Sequence, residues 1–182
     1  MIHLPEEIWL QIFTYVLPSD VWSSVRLVSK QFTLYAEDTM TRPQVIGRFT
    51  TAFRFTLGGG SHHRWYDVRP SMTFSFKEFN KHNPRYALFA DCRIHPPGTY
   101  VKVMEHWKRL TANNGLGRRQ EWRVQHGDEG EVRTVVLARL VVADGEGLWC
   151  DWRELFDAYY GLAVVAVKLD GVSDRHDGNG AG

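Results

Sequence analysis

The sequence predicts an α+β protein. A head of three short helices spans residues 1–40, a strand-rich domain with one late helix spans residues 41–170, and residues 171–182 form a polar tail expected to be disordered. Three observations carry this reading. Pro5, Pro18 and Ser29 divide the first forty residues into short helical pieces. From Phe49 onward, alternating or Val-rich runs recur between turn signals. The stretch DWRELFDAYYG, residues 151–161, carries both a start and a stop signal of a helix.

In the head, Pro5 suits a first helical turn, and Glu6 and Glu7 favour the positive end of the helix. Ile8, Ile12 and Tyr15 or Val16 repeat at helical spacing. Pro18 stops that helix, and Ser19 or Asp20 is expected to cap the next, with Val21, Val25 and Val28 on one face. Ser29 caps a third helix containing Phe32, Leu34 and Tyr35. Each helix is near or below the length that is marginal alone in water. The count of apolar side chains suggests that some of them face another protein.

Behind the head, residues 41–57 read as a strand, or a helix running into a strand, around Phe49, Phe53, Phe55 and Leu57. Gly58–Gly60 mark a turn. SMTFSFKEF places Met72, Phe74 and Phe76 on one face of a strand, and YALFADCRI is a second strand. VRTVVLARLVVADG and LAVVAVKLDG look like buried strands. Between them, Asp151 is an N-cap with Glu154 at capping-box spacing, Trp152, Leu155, Phe156 and Tyr159 share a face, and Gly161 ends the helix. The strand content and the Trp content are compatible with a β-sandwich-like domain.

Composition narrows the function. The net charge is +1, with a local net of −3 over residues 1–40 (two Lys/Arg, five Asp/Glu) and +4 over the rest. That balance offers no general field for nucleic acid or a membrane surface. No apolar run approaches the length of a membrane span, and MIHLPEEIW has no signal-peptide pattern. The two cysteines, Cys92 and Cys150, form no CxxC pair and read as buried thiols in a reducing compartment, cytoplasm or nucleus.

The stretch LPEEIWLQIFTYVLPSDVWSSVRLVSKQF resembles the F-box family. The matching features are Leu4-Pro5, the two glutamates, Ile8, Ile12-Phe13, Leu17 before Pro-Ser-Asp, Val25, and Leu27-Val28-Ser29-Lys30. Phe32 stands where the family often has Trp, and Trp9 and Trp22 are bulkier than usual at their positions. The resemblance implies a three-helix adaptor that binds the linker protein Skp1 and, through it, a cullin–RING ubiquitin ligase. It also implies Skp1 contacts at Leu4, Pro5, Ile8, Ile12, Leu17, Val25, Leu27, Val28 and Phe32, with the following domain holding a protein substrate. The arrangement looks like small fungal F-box proteins with uncharacterised C-terminal regions. Some plant F-box proteins carry a lectin-like sandwich of similar size, which leaves a glycan-binding module as an alternative, beside an interaction module outside any ligase.

No residue pattern calls for catalysis, a cofactor or a metal. His62-His63 beside Asp67 has no second ligand pair, Cys92 and His95 lack an orienting partner, and Gly58–Gly60 lack the GK[ST] of a phosphate loop. Residues 100–125 interleave Lys102, Lys108, Arg109, Arg118, Arg119 and Arg123 with Tyr100, Trp107 and Trp122. This stretch is the candidate substrate surface, suited to an acidic or phosphorylated protein. The competing reading is a solvated basic face whose aromatics point inward.

Overall fold

The structure is a computed structural model that describes residues 4–55, 69–112, 120–143 and 147–161. The run LAVVAVKLDG, the 171–182 tail, His62-His63, Gly58–Gly60, Arg118 and Arg119 lie outside the described residues.

The head opens with α1 (Glu6–Phe13) and α2 (Pro18–Ser23), followed by a 3-10 turn at Val25–Leu27, α3 (Lys30–Thr41) and the short α4 (Pro43–Ile46). Glu6 and Glu7 occupy the first turn of α1, as their charge favours. Pro18 begins α2 instead of preceding it, and neither Ser19 nor Asp20 caps it, because proline at the first helical position lacks only an N–H that would be unpaired anyway. The helix breaks at Ser24, where φ is −121°. Val21, Val25 and Val28 therefore do not share a face: Val21 is buried, Val25 half-buried and Val28 exposed. Ser29 caps α3 as expected, its side chain accepting the Phe32 N–H at 3.2 Å.

Seven strands follow: β1 (Phe49–Arg54), β2 (Ser71–Phe79), β3 (Tyr86–His95), β4 (Glu121–His126), β5 (Val132–Val136), β6 (Leu140–Ala143) and β7 (Gly147–Asp151). They pair antiparallel in one sheet, ordered β5-β4-β1-β2-β3-β7-β6. The α+β class holds, but among the described residues there is a single sheet in place of the two facing sheets of a sandwich. VRTVVLARLVVADG is not one buried strand. It splits at Leu137–Arg139 into β5 and β6, which form the two opposite edges of the sheet, with Val132, Val136 and Val141 exposed. A three-residue link between opposite edges reaches only about 13 Å, so the sheet must curl until its edges approach.

The concave face is aromatic. Thr51 pairs with Phe74 on β2 and with Val124 on β4, and Phe53 pairs with Met72, so these side chains point the same way. Helix α5 (Tyr100–Ala112) packs Trp107 against Phe53 and Phe74, at ring separations of 6.2 and 5.7 Å. Helix α6 (Trp152–Tyr160) packs Phe156 and Tyr159 on Phe49, at 4.9 and 5.3 Å. Strand β1 thus runs from α6 at its start to α5 at its end.

Asp151 caps α6 as predicted, accepting the N–H groups of Arg153 and Glu154. Gly161 closes the helix at φ +89°, a left-handed conformation suited to glycine. Glu154 does not reach back into a capping box. Its carboxylate instead accepts the N–H groups of Ala138 at 2.6 Å and Arg139 at 3.1 Å, pinning the link between the two edge strands. Asp151 is fully buried and its other oxygen binds Arg85 at 2.6 Å and Arg139 at 3.4 Å. Asp151→Asn keeps a capping oxygen and removes the charge. It should lower stability by about 2 kcal/mol in urea denaturation, the scale of a hydrogen bond to a charged group; an unchanged midpoint would mean both arginines are fully served by solvent. Of the two cysteines, Cys150 is buried as expected, whereas Cys92 is exposed on β3.

Candidate functional site

The three head helices are held by an aromatic cluster. Trp9 and Phe13 of α1 meet Phe32 of α3 at ring separations of 4.9 and 5.8 Å, and Phe32 meets Tyr35 at 6.1 Å. Phe32 therefore does the work of a larger ring, helped by the bulk of Trp9. Turning Trp9 and Phe13 inward sends the opposite side of α1 outward. Ile8 and Ile12, one turn apart, are 41% and 40% exposed, and beyond them Leu17, Leu27 and Val28 are 67%, 66% and 68% exposed. Pro5 is exposed, while Leu4, Val25 and Phe32 are half-buried. Sequence reasoning passed over Tyr15 and Leu34 as contacts, yet both are largely exposed. The apolar side chains of the head thus divide into an inner set and an open face that the sheet does not cover.

The other side of the head is fused to the late helix. Trp22 is fully buried, with its ring 5.9 Å from Trp152 and 5.2 Å from Phe156. Its indole N–H donates to Asp157 at 3.0 Å, and the same carboxylate oxygen takes Arg26 at 2.8 Å. Arg26 also lies 3.9 Å above the Trp22 ring. Nearby, Arg153 pairs with Glu37 of α3 at 2.7 Å. Trp22, the oversized residue of the head, is the plug that joins it to α6. One cluster of buried apolar residues runs from Phe13 through Trp22 to Tyr159.

The candidate substrate surface comes apart. Trp107 and Trp122 are buried on the concave face, where Phe53 meets the Trp122 ring at 5.3 Å. Arg123 follows Trp122 on a strand and so points to the opposite face. Lys102, Lys108 and Arg109 remain on the exposed side of α5, with Glu105 4.0 Å from Arg109, whereas Tyr100 is exposed at the helix start, seven residues before Trp107 and so on the side of that ring. The inward aromatics obey the helical spacing of Val103 and Trp107, a signal that was present in the sequence.

Among the described residues no group of three or more His, Cys, Asp or Glu side chains is placed to hold a metal ion, and no helix is long and apolar enough to cross a membrane.

No curated protein and no solved structure matches the chain. Residues 1–41 match the family model for the F-box-like domain, so the open face described above belongs to that module: the chain carries an N-terminal F-box-like domain.

Proposed function

We propose that this chain is the substrate-recognition subunit of an SCF-type cullin–RING ubiquitin ligase, working in the cytoplasm or nucleus. It binds Skp1 through Leu4, Pro5, Ile8, Ile12, Leu17, Val25, Leu27, Val28 and Phe32, and brings a protein substrate to the ligase. The observation that carries the reading is the open apolar face on α1 and the 3-10 turn, in a segment that matches the F-box-like domain. Covering each such side chain contributes about 1.5–3 kcal/mol when burial is complete. A face left bare on a folded chain is what a permanent adaptor interface requires, since such interfaces resemble a core cut in half. Ubiquitin transfer is then performed elsewhere in the complex, and this chain acts by raising the local concentration of substrate.

Co-purification with Skp1 tests the proposal. The intact chain should retain Skp1 and cullin, and changing Leu4, Pro5 and Ile8 to alanine should release both. Retention by the altered chain would move the docking surface elsewhere. The glycan-binding alternative calls for a groove lined by exposed Trp or Tyr; Trp107 and Trp122 are buried, while Tyr15 and Tyr100 are exposed.

For the substrate, the outer side of α5 is the candidate, with Lys102, Lys108 and Arg109 exposed on it. Lys108→Glu with Arg109→Glu should weaken capture of an acidic or phosphorylated substrate by roughly tenfold while Skp1 binding is unchanged. Affinity capture with the paired variant, compared by quantitative mass spectrometry, checks this; an identical set of captured proteins would remove α5 from the substrate site.

A further inference from the structure

A cavity of about 410 Å³ lies where the head meets the sheet. Its wall is apolar, with Phe13, Val21, Met40 and Val45, while Arg42, Arg48 and His126 also line it. No Asp or Glu is among the lining residues. The volume falls within the range of small-molecule sites, which join an apolar body to a few placed polar groups.

The polar groups are not equivalent. Arg42 pairs with Asp38 at 2.8 Å. Arg48 makes no ion pair among the described residues, and its guanidinium lies across Gly127. Gly127 has φ +72°, and a Cβ there would stand 2.6 Å from Arg48 Nη2, so the absence of a side chain leaves the room that this arginine occupies. The Gly127 N–H donates to the Arg48 carbonyl at 2.8 Å, tying the two segments together. His126 stacks on Phe49 at 4.5 Å, and its buried Nε2 makes no hydrogen bond. Burial, then the charge of Arg48, holds the imidazole below its ordinary range, opposed by the Val45 backbone, so at neutral pH the ring is uncharged.

We propose that this cavity is a binding site for a small anion with an apolar body, an aryl or alkyl carboxylate, sulfonate or phosphate. The apolar part lies against Val16, Leu17, Pro18 and Val45, and the anionic group meets Arg48, with Arg42 and the His126 ring beside it. Arg48 is exposed and makes no ion pair among the described residues, which leaves its guanidinium open to an anion, and a cation would face two guanidinium groups with no carboxylate in the lining. The proposal does not rest on the ligase reading, although Leu17 belongs to both the cavity and the open face.

The probe is 8-anilinonaphthalene-1-sulfonate, titrated into the full chain and followed by fluorescence, with the uncharged N-phenyl-1-naphthylamine as its partner. The intact chain should bind the sulfonate at one site. Arg48→Glu should weaken it by at least about tenfold, the scale of one charge-assisted hydrogen bond, and Arg48→Gln should have an intermediate effect. The uncharged compound should be indifferent to both changes. Val45→Trp, which fills the cavity, should reduce binding of both compounds. Leu27→Asp with Val28→Asp, which alters the open face alone, should change neither. Equal sulfonate binding to the intact chain and to Arg48→Glu would overturn the proposal, as would loss of binding in the open-face variant. A failure of Skp1 to bind would count against the ligase reading and leave the dye result standing.

Discussion

Trp22→Ala is expected to lower the melting temperature by about 10 °C and to do so in a single transition. The side chain is fully buried against Trp152 and Phe156. Removing a buried tryptophan costs about 3–5 kcal/mol through lost transfer energy and the cavity left behind. For a chain of this size each kcal/mol corresponds to about 2–4 °C. Two partners are stranded as well. Asp157 loses its indole donor, and Arg26 loses the ring beneath it. The measurement is a thermal melt followed by near-ultraviolet circular dichroism, which reports the packing of the Trp and Phe rings. If the sheet melted at its original temperature while the head melted earlier, head and sheet would be separate cooperative units. Trp22→Phe, which keeps the ring contact and loses the hydrogen bond, should recover more than half of the loss.

The second large effect concerns the open face. Leu27→Asp with Val28→Asp should raise the dissociation constant for Skp1 by at least about a hundredfold, because a few central anchors carry most of an interface's binding energy, at about 2 kcal/mol or more each, and do not add simply. Placing two carboxylates in a dry interface adds a desolvation cost. The free chain should hardly notice: both residues are exposed, and surface substitutions shift stability by about 0.5 kcal/mol or less. Isothermal titration against purified Skp1, beside a melt of the free variant, separates the two effects. Unchanged affinity in a folded variant would sink the docking proposal. A collapsed melt would instead show that these side chains support the head itself.

Legibility followed how local the cause was. The cap at Ser29, the cap at Asp151 and the left-handed stop at Gly161 depend on a few adjacent residues, and each was visible. Strands β2 and β3 declared themselves by alternation or β-rich composition. Helix α5 was not legible because its buried stripe is only Val103 and Trp107 and its first turn carries no acidic residue to mark a start. The break between β5 and β6 was missed for another reason. LVVADG and VRTVV are both Val-rich, and what separates them is the carboxylate of Glu154, brought from a later helix to the N–H groups of Ala138 and Arg139. Hydrophobic periodicity carries no sign of a polar contact between positions 15 and 16 residues apart. The cavity at the head–sheet junction was equally hidden, since Arg48 and His126 meet only through pairing of β1 with β4, which sets Phe49 opposite His126. The open face was legible both as a family resemblance and in the number of apolar side chains in the head, but which of them stay exposed was not. That depends on α6 covering Trp22 while leaving Ile8 and Leu27 bare.

The Trp22 plug also sets an order of events on the ribosome. The head emerges first, yet the helix that seats its tryptophan is synthesised more than a hundred residues later, a delay on the order of ten seconds at ordinary elongation rates. Until then the nascent head has a bare indole and an unpaired Arg26, and its helices are too short to persist alone. A chain whose translation stops before Trp152 therefore lacks the rings of Trp152 and Phe156 that seat Trp22.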